Sequence, residues 1–176
     1  MAQPKRRWFS LPLALGVLAV AALVLRYHYH HGIHPVRPGE ALPALNLVAL
    51  DGSSIQVKPT HGTVVYNVFA TWCPPCREET PTIARAAVTL QKHGIRVVGI
   101  DQGEPASAVN AFAKEFGLGY PIVVDPDHQT NVLLGARVIP ETIVVRDGVV
   151  RAMAVGPLDQ DSLDRLVAQS NEDSHA

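Results

Sequence analysis

The sequence predicts an α/β fold: a central mixed β-sheet flanked by helices, entered through an N-terminal β-hairpin and preceded by an N-terminal anchor helix. Three observations carry this prediction. Residues 63–70 and 95–101 are continuous apolar, β-branched runs, the pattern of strands buried on both faces. Segments of helical period separate such runs, so parallel pairing through crossovers is expected. Asp51-Gly52 and Asp147-Gly148 each lie between two strand-like runs, which marks two hairpins.

The bulk composition narrows the function classes. The chain has 176 residues, 47% of them apolar, enough for one cored domain plus an appendage. Lys and Arg number 15 against 16 Asp and Glu, mixed along the chain, so the charge pattern of a nucleic-acid binder is absent. Two cysteines cannot staple a scaffold, so the core must hold the domain together.

Taken in order, the chain opens with Lys5, Arg6 and Arg7, then an apolar run over 8–25 closed by Arg26. That length and the basic flank predict a signal-anchor or transmembrane segment over 1–26, with a cytoplasmic N-terminus and the remainder exported. A cleaved signal peptide with Ala19-Val20-Ala21 as its small-residue site is the alternative; it would leave an apolar stub on the mature chain. Residues 27–39 form a His/Pro-rich linker. Its His28, His30, His31 and His34 are read as a polar tether rather than a metal site. The folded domain is expected over 40–170, followed by a flexible tail at 171–176.

Within the domain, strands are expected at 44–50 and 53–57 around a type I′ turn at Asp51-Gly52. Strand 63–70 follows, then a helix opening at the cysteines and ending near His93-Gly94, with Ile83, Ala84, Ala87, Val88 and Leu90 facing inward. Next come strand 95–101, helix 106–116 (Val109, Phe112, Ala113 and Phe116 inward), strand 120–125 and a short helix over 127–134. Strands 142–146 and 149–155 make the second hairpin. A final amphipathic helix runs over 158–168, with Leu163, Leu166 and Val167 inward. No internal repeat is visible.

The chemistry lies at Cys73-Pro74-Pro75-Cys76. A Cys-x-x-Cys pair can be a metal site, a structural disulfide or a redox couple. A closed zinc site needs about four ligands, and no His pair at ligand spacing follows Cys76. A structural disulfide closing so small a loop would stabilise little. A pair that ends a buried strand and opens a helix sits where N–H groups and the helix dipole favour a thiolate. The redox reading therefore fits best, with Cys73 as the exposed nucleophile and Cys76, one turn deeper, as the resolving thiol. Pro74 and Pro75 lack N–H groups, so two possible donors to a Cys73 thiolate are missing. That predicts a less acidic thiol and a lower reduction potential.

On these residues the segment 41–168 resembles the thioredoxin fold. It is most similar to the membrane-anchored extracytoplasmic branch of TlpA, ResA and CcmG (DsbE) thiol–disulfide oxidoreductases. Trp72-Cys73-Pro74-Pro75-Cys76 matches that branch's Trp-Cys-x-x-Cys, and Pro81 matches its helix-kinking proline. Ile139-Pro140 matches the cis-proline that lies against the active-site disulfide, and Pro140-Glu141-Thr142 resembles the CcmG group's Pro-Glu-Thr. Asn67 stands where cytoplasmic thioredoxins carry a buried Asp. The resemblance implies Cys73 and Cys76 as the redox-active disulfide and Glu79 as a catalytic acid or base near it. It also implies Trp72, Ile139, Pro140 and Glu141 as the client-binding surface. For Glu79, a role beside Glu78 in complementing the helix dipole is the competing reading. Phe69 departs from the family's usual Trp, which is expected to change the surface where a partner docks.

The implied activity is disulfide reduction in exported client proteins by a monomeric, membrane-anchored domain facing the periplasm. Apo-cytochrome c is the implied client and a DsbD/CcdA-type membrane reductase the implied electron donor. No metal or other cofactor is assigned. Alternatives are a general or metal-stress oxidant or isomerase, and a metal-binding or chaperone module using the cysteines and the His-rich linker.

Overall fold

The structure is a computed structural model describing residues 15–23, 26, 36–58, 61–130 and 138–172. The chain divides into two units, 1–33 and 34–176. In the first, residues 15–23 are helical and solvent-exposed. Among the described residues no helix is long and apolar enough to cross a membrane. Much of the expected anchor, and His28, His30, His31 and His34 of the linker, lie outside the described residues.

The second unit is built on a seven-stranded sheet in the order β2-β1-β5-β4-β3-β6-β7. The strands are β1 (Asn46–Ala49), β2 (Ser54–Gln56), β3 (Thr63–Phe69), β4 (Arg96–Asp101), β5 (Ile122–Val124), β6 (Glu141–Arg146) and β7 (Val149–Val155). β3, β4 and β5 run parallel, while β1, β2, β6 and β7 pair antiparallel with their neighbours, so the sheet is mixed. Every residue of β3 is buried, as its unbroken apolar run requires of a central strand.

Alternation along β3 sends its side chains to two cores. Val64, Tyr66 and Val68 face a cluster completed by Leu42, Leu45, Leu47, Val57 and Ile143. Val65 and Phe69 face the helices α1 (Pro74–Lys92), α2 (Ala106–Phe116) and α3 (Gln160–Glu172). The helix expected over 127–134 begins at Gln129-Thr130, and its remainder lies outside the described residues. Packing of the second unit starts at Val36, which is buried, four residues before the expected boundary.

Several expectations are corrected. The Asp51-Gly52 loop is not a type I′ turn: Gly52 alone has positive φ, and its N–H closes on Ala49 in a longer loop. The I′ geometry occurs at Asp147-Gly148, where φ is 51° and 77°. Val88 is 59% exposed; Ala86 takes its expected place in the core, because the apolar stripe is set by the first turns at Cys76, Thr80 and Ile83. α3 continues to Glu172, into the segment expected as tail, and its Ser170 is buried with the hydroxyl donating to the Val167 carbonyl at 2.6 Å. Phe69 is 2% exposed and stacks on Phe112 with ring centroids 5.3 Å apart, so it shapes the core and not the docking surface.

Candidate active site

The redox pair is assembled where β3 ends. The Cys73 N–H bonds the Ala70 carbonyl at 3.2 Å, turning the chain through Thr71 and Trp72 into α1. Cys73 is the N-cap of that helix, and Pro74 and Pro75 occupy its first positions, where a missing N–H costs nothing. The first available donor is therefore the Cys76 N–H, 3.3 Å from Cys73 Sγ. Cys73 and Cys76 are joined as a disulfide with Cα atoms 5.3 Å apart. In this oxidised state Cys73 is only 2% exposed, beside 0% for Cys76, so the expected exposure of Cys73 is not met. Position still separates the two sulfurs: Cys73 Sγ alone accepts the helix-terminal N–H and meets the loop before β6.

That meeting is made by the cis Ile139-Pro140 peptide, which places the Ile139 carbonyl oxygen 3.9 Å from Cys73 Sγ. Pro140 is buried and its carbonyl accepts the Gly156 N–H at 2.8 Å, tying the loop to the end of β7. Trp72 at 69% and Val138 at 58% exposure are large apolar side chains left open on these two segments. A chain seated there would cover the apolar surface of Trp72 and Val138.

Glu79 follows Cys76 by three residues, hence one turn along the same helix face. It is buried, whereas Glu78 is exposed. Its Oε1 accepts from Asn67 Nδ2 at 2.7 Å and its Oε2 from the Leu158 N–H at 2.9 Å. Asn67 is the register partner of Thr142 and donates to its Oγ1 at 3.3 Å. Burial raises the Glu79 carboxyl above the usual range, and the two hydrogen bonds oppose that shift. Glu79 lies beyond the first turn of α1, which carries no acid, and its carboxylate is held by β3 and by the approach to α3. The same charge pushes the buried Tyr120 hydroxyl further up, after burial itself.

Glu141 opens β6 beside the cis proline but alternates to the opposite sheet face from Thr142, toward Ile143. It is 3% exposed, and burial alone raises its carboxyl to about 7. The structure therefore brings Ile139 against the Cys73 sulfur, with Trp72 and Pro140 next to them along the chain. It sets Glu79 behind Cys76 and puts Glu141 across the sheet from Glu79.

Sequence reasoning missed a second layer. Thr71 is gripped by Glu104, through its N–H at 2.5 Å and its hydroxyl at 2.6 Å, and its carbonyl accepts from Arg77 at 3.2 Å. Arg77 also pairs with Glu115 and lies over the rings of Phe112 and Phe116. The only available signal was Glu104 at the end of a buried strand's exit loop, which by itself reads as a solvated turn acid. Among the described residues no three His, Cys, Asp or Glu side chains are placed to hold a metal. A cavity of about 590 Å³, bordered by Lys58, Val88, Arg96 and Tyr120, is lined by residues around the start of β4 and not by the cysteines.

Comparison with known proteins agrees with this chemistry. The AhpC/TSA family matches residues 38–153. The chain is 30% identical over 165 residues to the thiol-disulfide oxidoreductase ResA of Geobacillus thermodenitrificans, covering 93% of this chain and 95% of that one. It is 35% identical over 95 residues to the thiol:disulfide interchange protein DsbE of Allochromatium vinosum, covering 53% and 51%. Among solved structures, a thioredoxin-family thiol:disulfide interchange protein from Chlorobium tepidum superposes with a TM-score of 0.66 at 28% identity, over 78% of this chain and 99% of that one. A redox disulfide at a helix N-terminus, a cis proline against it and these relatives together assign the chain to the AhpC/TSA family, as a thiol–disulfide oxidoreductase of the ResA/DsbE type.

Proposed function

We propose that this oxidoreductase works as a reductant outside the cytoplasm, held by its N-terminal segment to the membrane and acting on disulfides of exported proteins. The reduced Cys73 thiolate attacks a client disulfide, forming a mixed disulfide and releasing one client sulfur as a thiolate. Cys76 then attacks Cys73 Sγ, the second client sulfur leaves, and the pair returns to the disulfide. Two electrons pass to the client. The proton that Cys76 must lose goes to Glu79, the buried carboxylate one helical turn away.

The observation that carries the reductant reading is the donor count at Cys73. The prolines at the first two helix positions leave the Cys76 N–H as the donor to Sγ. A thiolate so sparingly stabilised makes the reduced state a weaker product, which lowers the potential. Apo-cytochrome c, whose haem-binding cysteines must be kept reduced, is the client this reading favours. A DsbD/CcdA-type membrane protein is the electron donor it requires, since the compartment is oxidising. The basic flank and the apolar run over 8–25 support the membrane anchor and the periplasmic placement.

The deciding experiment equilibrates the protein with glutathione or dithiothreitol and reads the dithiol fraction. A potential near thioredoxin's, about −270 mV, is expected; one near DsbA's, about −120 mV, would make the chain an oxidant.

A further inference from the structure

The loop that leaves β4 holds the turn that carries the cysteines, and it does so from a fixed base. The Asp125 N–H bonds the Asp101 carbonyl at 2.9 Å, and the Gln102 N–H bonds the Phe69 carbonyl at 3.1 Å. Gln102 Nε2 donates to Thr130 Oγ1 at 2.9 Å. Gly103 has a φ of +82°, and a Cβ there would stand 2.9 Å from the Asp125 carbonyl, so the loop is seated hard against the next segment. From this base the Glu104 N–H donates to Asp101 Oδ1 at 2.8 Å, and the Glu104 carboxylate accepts both the N–H and the hydroxyl of Thr71.

We propose that Glu104, braced by Asp101, is a positioning residue of the exchange reaction: by holding Thr71 it fixes the 70–73 turn that aims Cys73 Sγ at the Cys76 N–H. Neither carboxylate touches a sulfur. Thr71 is an inner residue of the turn closed by the Cys73 N–H on Ala70. Its N–H has no partner within that turn, and a charge-assisted acceptor is the strongest way to pin it. Release of Thr71 lets the turn rotate and lengthens the 3.3 Å contact that supports the Cys73 thiolate.

The arrangement also responds to pH. Asp101 is fully buried and its Oδ2 has no hydrogen-bond partner among the described residues, yet it lies beside a second carboxylate. Burial first, then a side-chain hydrogen bond with Glu104 and its charge, raise Asp101 to about 7, against the Glu104 N–H, which lowers it. A protonated Asp101 is relieved of the repulsion from Glu104, and loss of that proton above neutrality loosens the brace. Among the described residues, the other charged or titratable groups near this loop are Arg77 on α1, Glu115 on α2, and Asp125 and His128 beyond β5. Arg77 is engaged with Thr71 and Glu115, and Asp125 with the N–H groups of Gln129 and Thr130. His128 packs at Gly103.

This inference rests on the exchange chemistry of the cysteine pair and not on the direction of electron flow. The test follows iodoacetamide alkylation of the reduced full-length protein from pH 5 to 10, in wild type, Glu104→Gln, Thr71→Val and Asp101→Asn. A wild type without an alkylatable thiol of defined pKa would fail the exchange chemistry itself, before any variant is compared. Expected for Glu104→Gln is a Cys73 midpoint displaced upward and alkylation at pH 7 slowed about fivefold. Thr71→Val, which loses only the hydroxyl bond, should give a smaller shift of the same sign. Asp101→Asn should remove the inflection near neutrality that wild type shows. Far-UV circular dichroism confirms folding, and Thr71→Val decides if Glu104→Gln does not fold. Folded Glu104→Gln and Thr71→Val with wild-type profiles would overturn the proposal.

Discussion

At the scale of single residues, the site depends on how few partners each reactive group is given. Glu79 keeps two hydrogen-bond donors, Asn67 and Leu158, against a desolvation that favours its protonated form. A carboxylate whose affinity for a proton is raised by burial is suited to take one from a thiol. Glu79→Gln is expected to slow resolution of the mixed disulfide by about 10²-fold at pH 7 while leaving the first attack by Cys73 nearly unchanged. Trapping the mixed disulfide with a model client and timing its decay separates the two steps. Asn67→Asp should act in the opposite sense on the same carboxyl: a second negative charge at hydrogen-bond distance raises Glu79 further. The acid limb of the resolution rate is then expected to move to higher pH, read from the same assay across pH.

At the scale of elements, α1 is the component whose ends have different tasks. Its N-terminus carries the redox pair with two prolines and one N–H at Cys73; its body packs Ile83 and Ala86 against β3 and β4. Pro74→His restores an N–H at the first helix position. It should lower the Cys73 pKa and raise the reduction potential, both measurable on the purified protein. An unchanged potential would show that these positions do not face the sulfur. α2 supports the same loop from the side: Phe112 stacks on Phe69, tilts against Phe116 at 4.7 Å and carries the Arg77 guanidinium 5.3 Å above its ring. Phe112→Ala should therefore cost about 3–5 kcal/mol in urea unfolding, the usual range for a buried ring.

At the scale of the whole molecule, two buried carboxyls make stability depend on pH. Glu141 and Asp101 are raised to about 7 from ordinary values of 4.5 and 3.8. A raised carboxyl pKa means that the fold favours the protonated form. Its contribution is complete below the unfolded value, declines as pH rises, and is gone above about 7. Stability is thus expected to fall between about pH 4 and pH 7, by at most about 3 kcal/mol for Glu141 and about 4 kcal/mol for Asp101. Urea midpoints at pH 5 and pH 8 should differ in wild type, and the difference should shrink in Glu141→Gln. Asp51 and Asp159, lowered by their bonds to Ser53 and Ser162, lie at the surface and act only below their ordinary range.

The sequence by itself determined the strand and helix order of the domain, the redox pair and the helix that opens on it. These are local matters: a β-branched run, the 3.6-residue period and the Trp-Cys-x-x-Cys spacing act over a few residues. Glu79 was legible as one turn beyond Cys76, but its burial was not, because that depends on Asn67 in β3 and on Leu158, 79 residues further along the chain. Only the tertiary structure decided that Phe69 faces a core ring and that Cys73 is covered in the disulfide. It alone showed Glu141 across the sheet from Glu79, and Glu104 holding Thr71. Each of these depends on which strands are neighbours and in what register. Sheet pairing brings together residues tens of positions apart that carry no mutual signal in the chain.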